Sequence, residues 1–136
     1  MTIVGFNFSN IEAKRNKAVQ GEVKIQNNVK IEDISETEMT IGQNKQKVLK
    51  FTFNYESKYE PKIGNILIKG DLIYMNEPKI ITEVLEKWNS KEKKIPENVI
   101  GPVINTILNK SSIMALLLTK EVNLPPQLQL PKVKVQ

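Results

Sequence analysis

The chain has 136 residues, is 40% hydrophobic and 26% charged, and carries a formal net charge of +5. These proportions fit one soluble domain, 1–136, large enough to bury a single core. It contains no cysteine and no histidine, which excludes disulfide frameworks, zinc sites built on thiolate or imidazole, and Cys–His or Ser–His nucleophile pairs.

Further classes fall away on motif and charge. The six glycines are scattered, so neither GxGxxG nor GxxxxGK[ST] is present and no phosphate cradle is expected. No metal, no cofactor and no enzymatic activity are expected. The longest apolar run, Ile113 to Leu118, falls well short of the ~18 residues of a membrane span, so no membrane insertion is expected. The start MTIVGFNFSN lacks the parts of a secretory signal, and the expected location is cytoplasmic. Arg15 is the only arginine among lysines spread from Lys14 to Lys134. Base and phosphate recognition favours the planar guanidinium fork, so the lysines read as a solvated surface and no nucleic-acid partner is expected.

In chain order, the first segment is VGFNF, with Val4, Phe6 and Phe8 on one face of a strand. A solvated loop, IEAKRNKAVQG, follows. The second strand, GEVKIQNNVKI, aligns Val23, Ile25, Asn27, Val29 and Ile31. EDISETEMT reads as another solvated loop, and its Glu32, Asp33, Glu36 and Glu38 form the only acidic cluster. The third strand, VLKFTFNY, sets Leu49, Phe51, Phe53 and Tyr55 against Lys50, Thr52 and Asn54. The fourth, NILIKGDLIYM, aligns Ile66, Ile68, Leu72 and Tyr74, with Gly70 marking a bulge or bend. A period of two with one apolar face is the pattern of a half-buried sheet. Four strands in succession suggest an antiparallel meander.

The period then changes to that of a helix. NEPKIITEVLEKW opens with Asn76 as a cap and Pro78 in the first turn, and places Ile80, Ile81, Val84, Leu85 and Trp88 on one face. After the polar connection Ser90–Lys94, a second helix runs from near Pro96 to about Lys120. Its stripe is Ile100, Val103, Ile104, Ile107 and Leu108, continued by Met114, Leu117 and Leu118. The end of this helix is apolar on nearly every side, so more than its own sheet is expected to cover it. Pro125 and Pro126 close it. Leu128 and Leu130 would then share one face of an extended tail. The expected fold is α+β: a four-stranded antiparallel sheet followed by two helices and an extended C-terminal tail.

This order, ending in VNLPPQLQLPKV, resembles the SecB chaperones. Pro126-Gln127-Leu128-Gln129-Leu130 matches the Pro-Gln-Leu-polar-Leu run that follows the family's long helix. Pro131-Lys132-Val133 departs from it, with a lysine between the family's proline and valine. The glycine-containing strand LIKGDLIYM and the spacing in ENVIGPVINTILNKSSIMALLL are also similar to the family's. The resemblance implies an ATP-independent holdase for non-native polypeptides, built as a homotetramer of two dimers with the long helices packed between sheets. Its tail leucines would fill the gap beside the long helix and shape the client groove. Client-contacting residues would then be Phe51, Phe53, Tyr55, Ile66, Ile68, Leu72, Tyr74, Trp88, Leu128 and Leu130. Ile107, Met114, Leu117 and Leu118 would form the oligomer interface. The residues alone also allow plain core for all of these. Many family members are acidic and dock an export motor; this chain is basic, so a general holdase or a chaperone of a toxin–antitoxin pair fits better. Two other functions stay open: a basic RNA- or ribosome-associated domain, and an oligomeric subunit that is purely structural.

Overall fold

The four period-two segments form one antiparallel sheet in a computed structural model that describes residues 2–131. Lys132, Val133, Lys134 and Gln136 of the expected tail lie outside the described residues. The strands are β1 (Thr2–Arg15), β2 (Lys24–Ile41), β3 (Asn44–Glu60) and β4 (Gly64–Met75). Two helices follow, α1 (Pro78–Asn89) and α2 (Glu97–Glu121).

The sheet is not a simple meander. Its spatial order is β1-β4-β3-β2, so β2, β3 and β4 run as consecutive hairpins while β1 pairs with β4 at the far edge, a Greek-key arrangement. The connection 16–23 therefore crosses the end of the sheet. It is held there by the Asn16 N–H, which donates to the Ile63 carbonyl at 2.7 Å beside the β3–β4 turn.

The acidic segment expected as a loop belongs to β2, paired from Asp33↔Thr52 through Ile41↔Asn44. A register shift between Ile31 and Asp33 explains why alternation did not reveal it. Val29 and Ile31 face the helices at odd positions, and the extra residue moves the buried position to Ile34. A bulge flips which face each later side chain takes.

Gly70 also proves to serve a neighbour. The bulge lies in β1, between Phe8 and Asn10, opposite Gly70. A β-carbon at position 70 would sit 2.2 Å from the Asn7 carbonyl oxygen and 2.7 Å from the Phe53 ring. The glycine lets the β1 backbone close against β4.

Both helices cover one face of the sheet. Ile81 and Val84 of α1 and Val99, Val103 and Ile107 of α2 pack on Leu49, Phe51, Phe53, Leu72 and Tyr74. Toward the other end, Ala115 of α2 and Leu124 pack on Tyr55, Tyr59, Ile63, Ile66 and Ile68. Each large side chain buried here contributes roughly 1.5–3 kcal/mol. Glu77, rather than Asn76, takes the cap position of α1, with Pro78 in the first turn. The Asn76 side chain instead accepts from the Glu77 N–H at 2.7 Å and donates to the Tyr74 hydroxyl at 2.8 Å. Pro102 lies inside α2, where it has no N–H to donate to the Asn98 carbonyl one turn earlier.

Candidate peptide-binding surface

The residues expected to contact a client divide into two groups. Phe51, Phe53, Tyr55, Ile66, Ile68, Leu72 and Tyr74 are all sealed from solvent within one chain, under α1, α2 and the tail turn. A client cannot touch them while the helices stay packed; in this fold they are core. Trp88 is half-buried against the same core. Its indole N–H donates to Asp33 at 3.3 Å, and the Lys93 ammonium sits 4.9 Å from its ring centroid. Leu128 and Leu130 are the members open to solvent.

The expected interface residues divide likewise. Ile107 is fully buried against its own sheet. Met114 and Leu118 are partly buried, packed on the Tyr55–Tyr59 end of the core. Leu117 faces outward, together with Ile113, a residue that the sequence stripe had left out. The exposures are 59% for Leu117, 64% for Ile113, 42% for Leu128 and 50% for Leu130, unusually high for residues of this size. Ile113 and Leu117 stand one turn apart on the side of α2 that faces away from the sheet, with half-buried Leu116 beside them. One turn earlier the same side carries exposed Asn109 and Lys110, so this outward ridge is confined to the last turns of the helix. By length and composition alone α2 is apolar enough to cross a membrane, yet only 33% of its most apolar stretch is buried within the chain. Near its end the helix thus has a sheet-facing side and a second, uncovered apolar side.

Among the described residues the tail forms no strand, and Leu128 and Leu130 do not fill the gap beside α2. That place is taken by Leu124 and by Gln127, which is 5% exposed. The reason lies in the partners offered. The Gln127 side-chain amide donates to the Ser112 carbonyl of α2 at 2.8 Å, and its backbone carbonyl accepts from Asn27 Nδ2 at 3.0 Å. Just before it, the Pro125 carbonyl accepts from the Tyr59 hydroxyl at 2.6 Å. With Gln127 turned inward, Leu128 turns outward. Ser112 stands one helical turn from Leu108 and from Leu116, so the tail leaves its anchor beside further apolar side chains of α2.

Asn27 is oriented from beneath. Ser57 Oγ donates to its Oδ1 at 2.6 Å, and the Tyr55 hydroxyl lies 3.0 Å from the same Oγ. Asn27 and Ser57 are direct cross-strand partners. Each is polar in an otherwise apolar row, and that was the signal by which sequence alone could have marked this junction. Burial, with a smaller contribution from neighbouring Tyr55, pushes the Tyr59 phenol from 10.0 up to about 12.

Elsewhere the surface mixes charged groups with scattered exposed apolar side chains, Val4, Ile11, Val19, Ile41 and Leu108, and several of the charges are paired. In the acidic cluster, Asp33 accepts from Trp88, Glu32 accepts from Asn54, and Glu36 pairs with Lys47 at 3.2 Å. On the open sheet face, Lys58 lies 3.7 Å from Glu56 and Lys50 lies 4.0 Å from Asp71. One surface hollow of about 410 Å³, between α1 and α2, is lined mostly by lysines and glutamates. Among the described residues no cluster of acidic side chains is arranged to hold a metal ion. No known protein family matches the chain, and no curated protein matches it.

Proposed function

We propose that the chain is a subunit of a cytoplasmic, ATP-independent holdase that binds non-native polypeptides. The observation carrying this reading is the uncovered apolar side of α2, Ile113 and Leu117, with Leu128 and Leu130 projecting from the tail. The outward ridge of α2 pairs with a second copy, as the four-residue spacing of Ile113 and Leu117 suits helix-on-helix packing. The tail leucines remain for clients. The resemblance of Pro126–Leu130 to the SecB run, after four strands and a long helix, supports the same reading and implies a homotetramer.

The physics requires no fuel. A surface that binds the unfolded state alone shifts the folding equilibrium by mass action. Each apolar contact is worth roughly 25 cal/mol per Å² and reads little sequence. Several such surfaces in one oligomer act on a long client at high effective concentration. The positive charge and the internal pairing of the acidic cluster favour a general holdase, or a chaperone for a toxin–antitoxin pair, over delivery to an export motor.

The test is calorimetric titration with a permanently unfolded client and with its folded form, at two salt concentrations, after sizing by light scattering. Salt-resistant binding of the unfolded form alone is the expected result. Binding that collapses with salt would favour an RNA-associated domain instead. An oligomer that binds neither form would be a structural subunit.

A further inference from the structure

The seat of Leu124–Gln127 has the properties of a peptide-recognition site that the chain fills with its own tail. Two donors on the sheet, the Tyr59 hydroxyl and Asn27 Nδ2, meet carbonyls two residues apart, Pro125 and Gln127. One acceptor on the helix, the Ser112 carbonyl, meets the glutamine amide. Asn27 is aimed by Ser57 through groups the tail does not supply, so this donor is preset. The slot reads carbonyls at the positions where the occupant has Pro125 and then Gln127, and the two prolines bring no N–H that needs a partner. A tyrosine hydroxyl and a side-chain amide donating to an extended, prolyl backbone is the chemistry of proline-rich peptide recognition.

The tail is also an imperfect occupant. Gln127 Oε1 is buried with no hydrogen-bond partner. This orphan weakens the fit, since a buried polar atom without a partner is unfavourable. Beyond the anchor, Leu128 through Pro131 are all exposed, so little packing in this stretch holds the segment against the slot.

The geometry points to a second function for this slot: it recognises an extended Leu-Pro-Pro-Gln-type segment of another polypeptide, and the chain's own tail is its built-in competitor. The site is separate from the outward ridge of α2 and does not depend on the holdase reading. Because the tail is tethered directly to α2, it competes at an effective concentration of millimolar order. A free peptide therefore gains access mainly when the anchor is weakened.

The experiment uses the full chain and a fluorescent peptide with the sequence of Leu124–Leu128. The wild-type protein is expected to bind it only at millimolar concentrations, and Gln127→Ala, which weakens the competitor, about tenfold more tightly, equivalent to about 1.4 kcal/mol. Adding Asn27→Asp, which keeps the acceptor for Ser57 and removes the donor, should abolish that gain. So should a peptide with alanine in place of its glutamine. Equal affinity for wild type and Gln127→Ala, or binding indifferent to Asn27→Asp, overturns the proposal. Should Gln127→Ala fail to fold, isotope-labelled wild-type protein decides the matter. Millimolar peptide must shift the protein's own Gln127 side-chain amide resonance, because displacement of the tail takes this amide off the Ser112 carbonyl, and an unmoved resonance overturns the proposal equally.

Discussion

Gln127 donates its side-chain amide to the Ser112 carbonyl at 2.8 Å while its own Oε1 is buried without a partner. One half of this amide is satisfied and the other is not, so its two halves contribute with opposite sign. Gln127→Ala loses the hydrogen bond and the packing, and should lower stability by about 1–2 kcal/mol. Gln127→Met keeps the volume and removes the orphaned oxygen. The Ser112 carbonyl retains its place in the helix ladder. This variant should therefore stay within about 1 kcal/mol of wild type. Urea midpoints of the two variants check the pair; a methionine variant as unstable as the alanine one would mean that the hydrogen bond dominates.

Two glycines make a second contrast. At Gly70 a β-carbon would meet the Asn7 carbonyl oxygen at 2.2 Å, whereas at Gly101 in α2 it would meet nothing within 4 Å. Gly70→Ala must push β1 away from β4 and should cost about 2–4 kcal/mol. Gly101→Ala should stabilise by up to about 1 kcal/mol through helix propensity alone. Thermal unfolding of both variants tests whether the close approach of β1 is as tight as the geometry requires.

The Tyr59 phenol makes stability depend on pH in the alkaline range. Its value in the folded chain is raised from 10.0 to about 12 by burial first and Tyr55 second. The neutral form is thus favoured by folding. That stability is fully present below pH 10 and is lost as pH rises from about 10 toward 12. The loss amounts to up to about 2 kcal/mol. Denaturant midpoints followed across this range should fall in the wild type. In Tyr59→Phe the fall should be smaller, from a lower starting stability because the bond to the Pro125 carbonyl is gone.

Residue pattern revealed the four strands, both helices and their order, because one face of each is apolar at a regular period. What it did not reveal has identifiable causes. The β1–β4 pairing depends on a crossing connection whose polar residues, 16–23, look like any loop. The end of β2 was hidden by the bulge at Ile31/Asp33, which reversed the alternation. The candidate site was only partly legible, since periodicity marks which side chains are apolar and not which of two sides of a helix is covered. Phe51, Tyr55 and Leu72 were therefore grouped with Leu128 and Leu130, although the first three are core. The anchoring role of Gln127 went unseen because its partners, Asn27 and Ser112, come from a strand and a helix far from it in sequence. The Tyr59 bond to the Pro125 carbonyl alone spans 66 positions.

The outward ridge of α2 yields the sharpest separation between folding and assembly. Ile113 and Leu117 are 64% and 59% exposed, whereas Ile107, on the same helix, is fully buried on the sheet. Replacing Ile113 and Leu117 with lysine removes no contact of the core, so single-chain stability should change by less than about 0.5 kcal/mol. If a second copy covers this ridge, the double variant must bury two ammonium groups there and the oligomer should dissociate. Ile107→Ala should do the reverse, costing about 2–5 kcal/mol of folding stability while leaving the ridge intact. Light scattering and urea unfolding on the same samples distinguish the two effects. A double lysine variant that keeps the wild-type mass would place the subunit interface elsewhere and leave the ridge free for clients.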